Sequence, residues 1–294
     1  ITTATNTLDT TSVSVKKNWE PEELPDGGQY PSVTMKVQYK SGPNEDDWED
    51  LEGCTVTLNG SETLAWEHTF EDLPKYYPEA AGYAEKRETQ YRVVELDGDG
   101  YVQVEEKYDG KNKTFTFTNK PVVDFTVTKQ WNSVPEEAYN WHVTVGLYRT
   151  TEEVTDYTSL AYDVEHMVTN ENGQLLTVEL YGPDNLTATF EDLDKYYMDE
   201  TTGDCLEYTY YVKELTVGGD KIEGASFTKE VNGESVDFTV DYTYAENAAT
   251  VVNRVEGSLQ VKKVWWDKGG DTARPEEITV GLYRFDKAAQ DYVA

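Results

Sequence analysis

Ser12-Val-Ser-Val-Lys-Lys-Asn-Trp19 alternates apolar and polar side chains with the period of a β-strand, and the pattern occurs three times. Its echoes are Asp124-Phe-Thr-Val-Thr-Lys-Gln-Trp131 and Ser258-Leu-Gln-Val-Lys-Lys-Val-Trp265. Further landmarks follow in a fixed order. Val33-Thr-Met-Lys-Val37 answers to Val143-Thr-Val-Gly-Leu-Tyr148 and Ile278-Thr-Val-Gly-Leu-Tyr283. Phe70-Glu-Asp-Leu-Pro-Lys-Tyr-Tyr77 answers to Phe190-Glu-Asp-Leu-Asp-Lys-Tyr-Tyr197, and Tyr91-Arg-Val-Val-Glu95 to Tyr210-Tyr-Val-Lys-Glu214. The last pair is Thr114-Phe-Thr-Phe-Thr-Asn119 and Ala249-Thr-Val-Val-Asn253. An ordered recurrence of this kind marks an internal repeat. The expected division is residues 11–120 and 121–254 as complete repeats and 255–294 as opening strands only. Residues 1–10, with Thr5-Asn6-Thr7, read as the closing strand of a preceding repeat. Almost no linker separates one repeat from the next, which predicts a stiff end-to-end array.

Short alternating runs split by Gly, Asn, Asp and Pro predict an all-β fold, each repeat an immunoglobulin-like antiparallel β-sandwich of about seven strands. Asp72-Leu-Pro-Lys75 is the one place where a short helical turn is expected. The 22 Tyr and 7 Trp argue against disorder. A net charge of −32 excludes nucleic acid and anionic membrane as partners. Two cysteines, Cys54 and Cys205, fall in different repeats and cannot make a disulfide framework. No apolar run is long enough to cross a membrane, and no signal peptide opens the chain, so any targeting segments are expected outside it. Asp97-Gly-Asp-Gly100 lacks the further ligands of a calcium loop, and the three His residues have no ligand spacing, so no metal and no cofactor is expected.

Alternation also sorts the polar residues. Lys17 shares a face with Val13, Val15 and Trp19, Lys129 with Phe125, Val127 and Trp131, and Lys263 with Leu259, Val261 and Trp265. Each opening strand therefore sends one lysine inward, which is costly for a charged amine, while Lys16 and Lys262 turn outward. By the same count Glu95, Glu214, Asn119 and Asn253 face inward. Each complete repeat thus offers a buried Lys, Glu and Asn from three strands. A Lys–Glu ion pair hydrogen-bonded to Asn would satisfy them, and so would a covalent link. The duplication favours the link. Glu207 is a rival acid in the second repeat, off the Tyr-x-Val-x-Glu register.

Lys-x-Trp, Val-Thr-Val-Gly-Leu-Tyr, Phe-Glu-Asp-Leu-Pro-Lys-Tyr, Tyr-x-Val-x-Glu and a closing Thr-Asn together resemble the B-type repeat of collagen-binding adhesins. These are the Cna B-like domains of Gram-positive surface adhesins and pilins. The resemblance implies an intramolecular isopeptide bond between Lys and Asn, assisted by the acid: Lys17 to Asn119 with Glu95, and Lys129 to Asn253 with Glu214. Asn6 and Lys263 would be half-sites with partners outside the chain. Burial makes Lys a neutral nucleophile and keeps Glu protonated; the acid is expected to donate to the Asn carbonyl and then shuttle protons as ammonia leaves. Such a protein acts once, on itself, and is no enzyme in the ordinary sense. Its function is then that of a stalk or shaft on a bacterial cell surface, anchored to the wall through segments outside this chain, with neighbouring repeats as its partners. The alternative is an adhesin module gripping a host extracellular protein or glycan through Tyr76, Tyr77, Tyr196 and Tyr197. A glycosidase using paired carboxylates is the remaining class, and no motif supports it.

Overall fold

In a computed structural model, residues 9–40, 42, 44, 46–76, 88–96, 98–182, 185–199, 201–255, 262–263, 277–281, 284–286 and 291–293 are described. The chain divides into two units, 1–256 and 257–294.

In the first unit, alternation builds two sandwiches in chain order. The first uses β1 (Thr10–Trp19), β2 (Val33–Lys40), β3 (Trp48–Leu58), β4 (Glu67–Pro74), β5 (Tyr91–Glu95), β6 (Tyr101–Asp109) and the front of β7 (Thr114–Asn132). One sheet runs β6-β7-β1-β4 and the other β3-β2-β5. Val13, Val15, Trp19, Met35, Val37, Val93, Phe115 and Phe117 meet between them. The second sandwich adds β8 (Val143–Thr150), β9 (Thr177–Leu180), β10 (Thr187–Asp194), β11 (Tyr196–Met198), β12 (Cys205–Glu207), β13 (Thr209–Val217), β14 (Asp220–Lys221), β15 (Ser226–Val231), β16 (Glu234–Ala245) and β17 (Ala248–Val255) to the back of β7. Its sheets run β15-β16-β17-β7-β10 and β14-β13-β8-β9, with β11–β12 a separate hairpin. Its own core gathers Phe125, Val127, Val145, Leu147, Leu180, Val212 and Val251. Leu147 is fully buried there, so Leu147→Ala should cost the second sandwich about 2–5 kcal/mol. Urea unfolding followed by the fluorescence of Trp131 and Trp141 would measure it.

Two features of the first unit's strands depart from the sequence reading. The expected antiparallel pairing holds for most neighbours, but β1 pairs with β7 in parallel, as does β17 with β7. The front of β7 closes the first sandwich and its back opens the second. A strand with both duties must run the same way as the first strand of one sandwich and the last of the other. Secondly, Asp72-Leu-Pro-Lys75 forms no helical turn; β4 continues to Pro74. Asp72 instead takes φ +56° at a register shift opposite Thr11/Val13, and Asp192 takes φ +54° at the matching shift between Phe190 and Leu193. Aspartate tolerates this left-handed conformation better than most residues. The bulge lets Phe and Leu, three residues apart, both point inward, and Phe70, Leu73, Phe190 and Leu193 are all buried. That is why Phe-Glu-Asp-Leu repeats.

In the second unit, β18 (Arg284–Asp286) and β19 (Asp291–Val293) form an antiparallel pair. Residues 277–281 are in no strand, and Ile278 and Val280 are exposed, contrary to the strand expected there. Elsewhere the matching strands β2 and β8 pair with the Tyr-x-Val-x-Glu strands β5 and β13, and residues 255–294 contain no such landmark.

Candidate functional site

Three strands bring each polar set together. In the first sandwich β1 carries Lys17, β5 carries Glu95 and β7 carries Asn119. The parallel register sets Trp19 beside Asn119 and Lys17 beside Phe117, so the lysine reaches diagonally along the strand. Its Nζ donates to Glu95 Oε2 at 3.0 Å, while Asn119 Nδ2 donates to Glu95 Oε1 at 2.5 Å. One carboxylate therefore touches both nitrogens. The Lys17 side chain is wholly buried and that of Glu95 nearly so, at 7% exposure.

The second sandwich repeats the set from β7, β13 and β17, with Trp131 beside Asn253. Lys129 Nζ lies 3.6 Å from Glu214 Oε1, and Asn253 Nδ2 donates to the same oxygen at 3.2 Å. The amine also donates to the carbonyls of Gln130 and Val251, at 3.1 and 3.4 Å. Here both the lysine and glutamate side chains have no exposure. Each amine sits over the indole two residues on, Lys17 4.9 Å from the Trp19 ring centre and Lys129 4.1 Å from that of Trp131.

Burial governs the charges. Loss of water lowers Lys17 and Lys129 to about 8 each, although the facing carboxylates pull the other way. Burial likewise raises the Glu214 carboxyl, with Lys129 and the Asn253 hydrogen bond opposing. Both sites also keep two matching buried groups without a partner, the carbonyl oxygen of Asn119 or Asn253 and the indole N–H of Trp19 or Trp131, and the second site adds Glu214 Oε2. Buried polar groups are normally paired, so an identical pair of exceptions in two sandwiches marks this place as chemically unusual. Alternation gave no sign of it, because pattern places a side chain on a face without aiming its atoms.

The remaining candidates lie elsewhere. Glu207 is exposed and faces Lys195 at 3.7 Å, away from the Glu214 site. Lys16 is exposed, as alternation requires. Lys263 is exposed and in no strand, although its alternation had turned it inward; among the described residues of 257–294 the one strand pair is β18–β19, which supplies no second sheet to bury it. Asn6, Tyr77, Asp97 and, apart from Lys262 and Lys263, the opening stretch of the third repeat lie outside the described residues. His68, His142 and His166 pack singly, against Phe70, Tyr181 and Asp163. Among the described residues no group of three or more His, Cys, Asp or Glu is placed to hold a metal, and no helix is long and apolar enough to cross a membrane. Cys54 and Cys205 are free.

Comparison with known proteins adds the following. Residues 13–120 match the model of the Cna protein B-type domain. A collagen adhesin of Staphylococcus aureus is 26% identical over a 348-position alignment covering 98% of this chain. The chain spans 27% of that adhesin's length. Among solved structures, two B repeat units of the collagen-binding protein of Staphylococcus aureus share 22% identity, covering 91% of this chain and 56% of that one, with a TM-score of 0.28. The shaft pilin SpaA of Lactobacillus rhamnosus GG shares 11% identity, covering 86% of this chain and all of its own, with a TM-score of 0.27.

Proposed function

Since residues 13–120 belong to the Cna protein B-type domain family, we propose that this chain is part of a surface stalk whose sandwiches each lock themselves shut with a Lys–Asn isopeptide bond. The repeats are 11–120 and 121–254, with 255–294 and 1–10 as pieces of neighbouring ones. The bonds join Lys17 to Asn119 and Lys129 to Asn253. The observation that carries this reading is the shared carboxylate: in both sandwiches one glutamate, buried in the second and nearly so in the first, contacts the amine that would attack and the amide nitrogen that would leave.

Those contacts refine the chemistry expected from sequence. The carboxylate faces the Asn nitrogen, and the Asn carbonyl oxygen has no partner. The glutamate first takes a proton from the buried ammonium, which leaves a neutral amine next to a neutral acid, the pairing that burial favours. A half-turn of the carboxamide then presents its oxygen to the new O–H. Nζ attacks Cγ, and the Cγ–Nδ2 bond breaks. One proton from the attacking nitrogen reaches the departing nitrogen through the glutamate, ammonia leaves, and the glutamate keeps the proton it first took from the ammonium. The fold contributes proximity, because three strands of one core hold the reactants together.

The surface setting, anchored to a bacterial wall outside this chain, follows from the same family reading. A stalk draws its stiffness from β7, which serves two sandwiches as one unbroken strand. A binding role has one observation of its own: Tyr197 and Leu206, paired across the β11–β12 hairpin, are both exposed. Protein refolded from denaturant and digested with protease should yield branched peptides joining Lys17 to Asn119 and Lys129 to Asn253. Their absence, with linear peptides recovered for all four residues, would overturn the proposal.

A further inference from the structure

The two sites differ in one respect that the family pattern does not anticipate. Strand β13, which carries Glu214, is covered on its outer edge by β14 only at Thr216 and Val217. Beside Glu214 and Val212 that edge has no strand to pair with among the described residues. Two phenols take the strand's place. Tyr242 Oη accepts the Glu214 backbone N–H at 3.0 Å, and Tyr244 Oη accepts from the Val212 N–H at 3.4 Å while donating to its carbonyl at 3.3 Å. Both tyrosines belong to β16, in the opposite sheet.

That origin matters for the chemistry. β16 pairs with β17, setting Tyr242 beside Val251 and Val240 beside Asn253. Tyr242 therefore ties the backbone of the acid to the strand next to the amide, spanning the gap across which the bond must form. Tyr157 stacks on Tyr244 with ring centres 3.9 Å apart, and Tyr242 and Tyr244 stack on each other at 6.5 Å. The rings screen this edge from water. In the first sandwich the β6 residue opposite Phe117, the counterpart of Val251, is Glu106, which is exposed. The Glu95 side chain there keeps 7% exposure where Glu214 has none.

We infer that Tyr242 is a positioning residue of the second site: its hydroxyl fixes the Glu214 backbone at the distance from Asn253 that bond formation needs, and in the first sandwich the position matching Tyr242 is held by Glu106. This rests on the isopeptide reading above. Tyr242→Phe keeps the ring and removes only the hydroxyl, so the freed N–H must find water and the acid gains freedom to drift.

The test follows both bonds while the full chain refolds by dilution from denaturant at a series of pH values, with peptide mapping of quenched samples. In the wild type both bonds form. In Tyr242→Phe the second bond should form at least about tenfold more slowly, while the first keeps its rate and serves as the internal control. The pH profile should change too. Reaction needs the Lys129 amine neutral and the Glu214 carboxyl protonated. Water admitted beside Glu214 would return its carboxyl toward the ordinary range, so the fall in rate on the alkaline side should move to lower pH. A loss of folded protein alone would lower the yield at every pH without moving that limb. Tyr244→Phe, whose hydroxyl binds two residues away, should leave the limb in place. An unchanged rate and profile in Tyr242→Phe, or equal shifts in both variants, would overturn the assignment. Failure of wild type to form either bond would instead overturn the reading beneath it.

Discussion

Pulled by its two ends, each linked sandwich should refuse to unfold. Tension enters at the start of β1 and leaves along β7, and these strands lie side by side in parallel from Ser14–Thr114 to Trp19–Asn119. Opposite ends of parallel neighbours are thus drawn apart in shear. Without a bond, six residue pairs and the β4 pairing resist, and once they slip the whole core opens. With Lys17 joined to Asn119 the load crosses from one strand to the other through covalent atoms. Roughly a hundred residues between them never feel it. Releasing that many residues would add about 350 Å of contour length. Single-molecule extension should show this step in an Asn119→Ala chain and lack it in the wild type. A step of that size in verified, linked protein would contradict the stalk reading. The second sandwich, with β7 and β17 also parallel, should behave alike.

Loss of the bonds should also show in heat. Cross-linking a loop of about a hundred residues restricts the unfolded chain by about 4–5 kcal/mol if it acts as disulfides are thought to. For a domain near a hundred residues this corresponds to a Tm change on the order of 20 °C. Glu95→Ala should prevent the first bond and cost at least this much. The variant has a second cost, because it leaves the Lys17 amine buried without its partner, and an unpaired buried charge is itself strongly destabilising. A Lys17→Met, Glu95→Leu double variant removes both charges along with the link, so the loss common to the two variants belongs to the bond. Calorimetry measures both. A double variant melting with the wild type would mean that no link had been restraining the chain.

How far the sequence foretells this molecule depends on what each pattern encodes. Alternation in β1 and β7 was enough to turn Lys17 and Lys129 inward and Lys16 outward, because a strand's two faces are fixed by its pleat. The same arithmetic on Glu95, Glu214, Asn119 and Asn253 brings both sets onto their cores. It is silent on direction, and so the parallel pairing of first and last strands is legible only in the folded chain. Repetition of Phe-Glu-Asp-Leu was visible, but its cause was not: a left-handed Asp inside a bulge leaves no mark in hydrophobic periodicity, and the Pro after Leu73 suggested a turn. Tyr242 was hidden for another reason. Its role depends on an open edge in the opposite sheet, and edges are a property of the assembled sheet. Ile278 and Val280 show the converse, since their strand-like pattern has no partner strand among the described residues and they remain exposed.

Intact mass of the folded wild-type chain addresses the central claim most directly, because every isopeptide bond removes one ammonia and nothing else. The account predicts a mass below that of the sequence by two ammonia molecules, by one in either Asn119→Ala or Asn253→Ala after allowing for the substitution, and by none when both are replaced. A wild-type mass equal to that of the sequence would leave two buried ion pairs and no covalent lock.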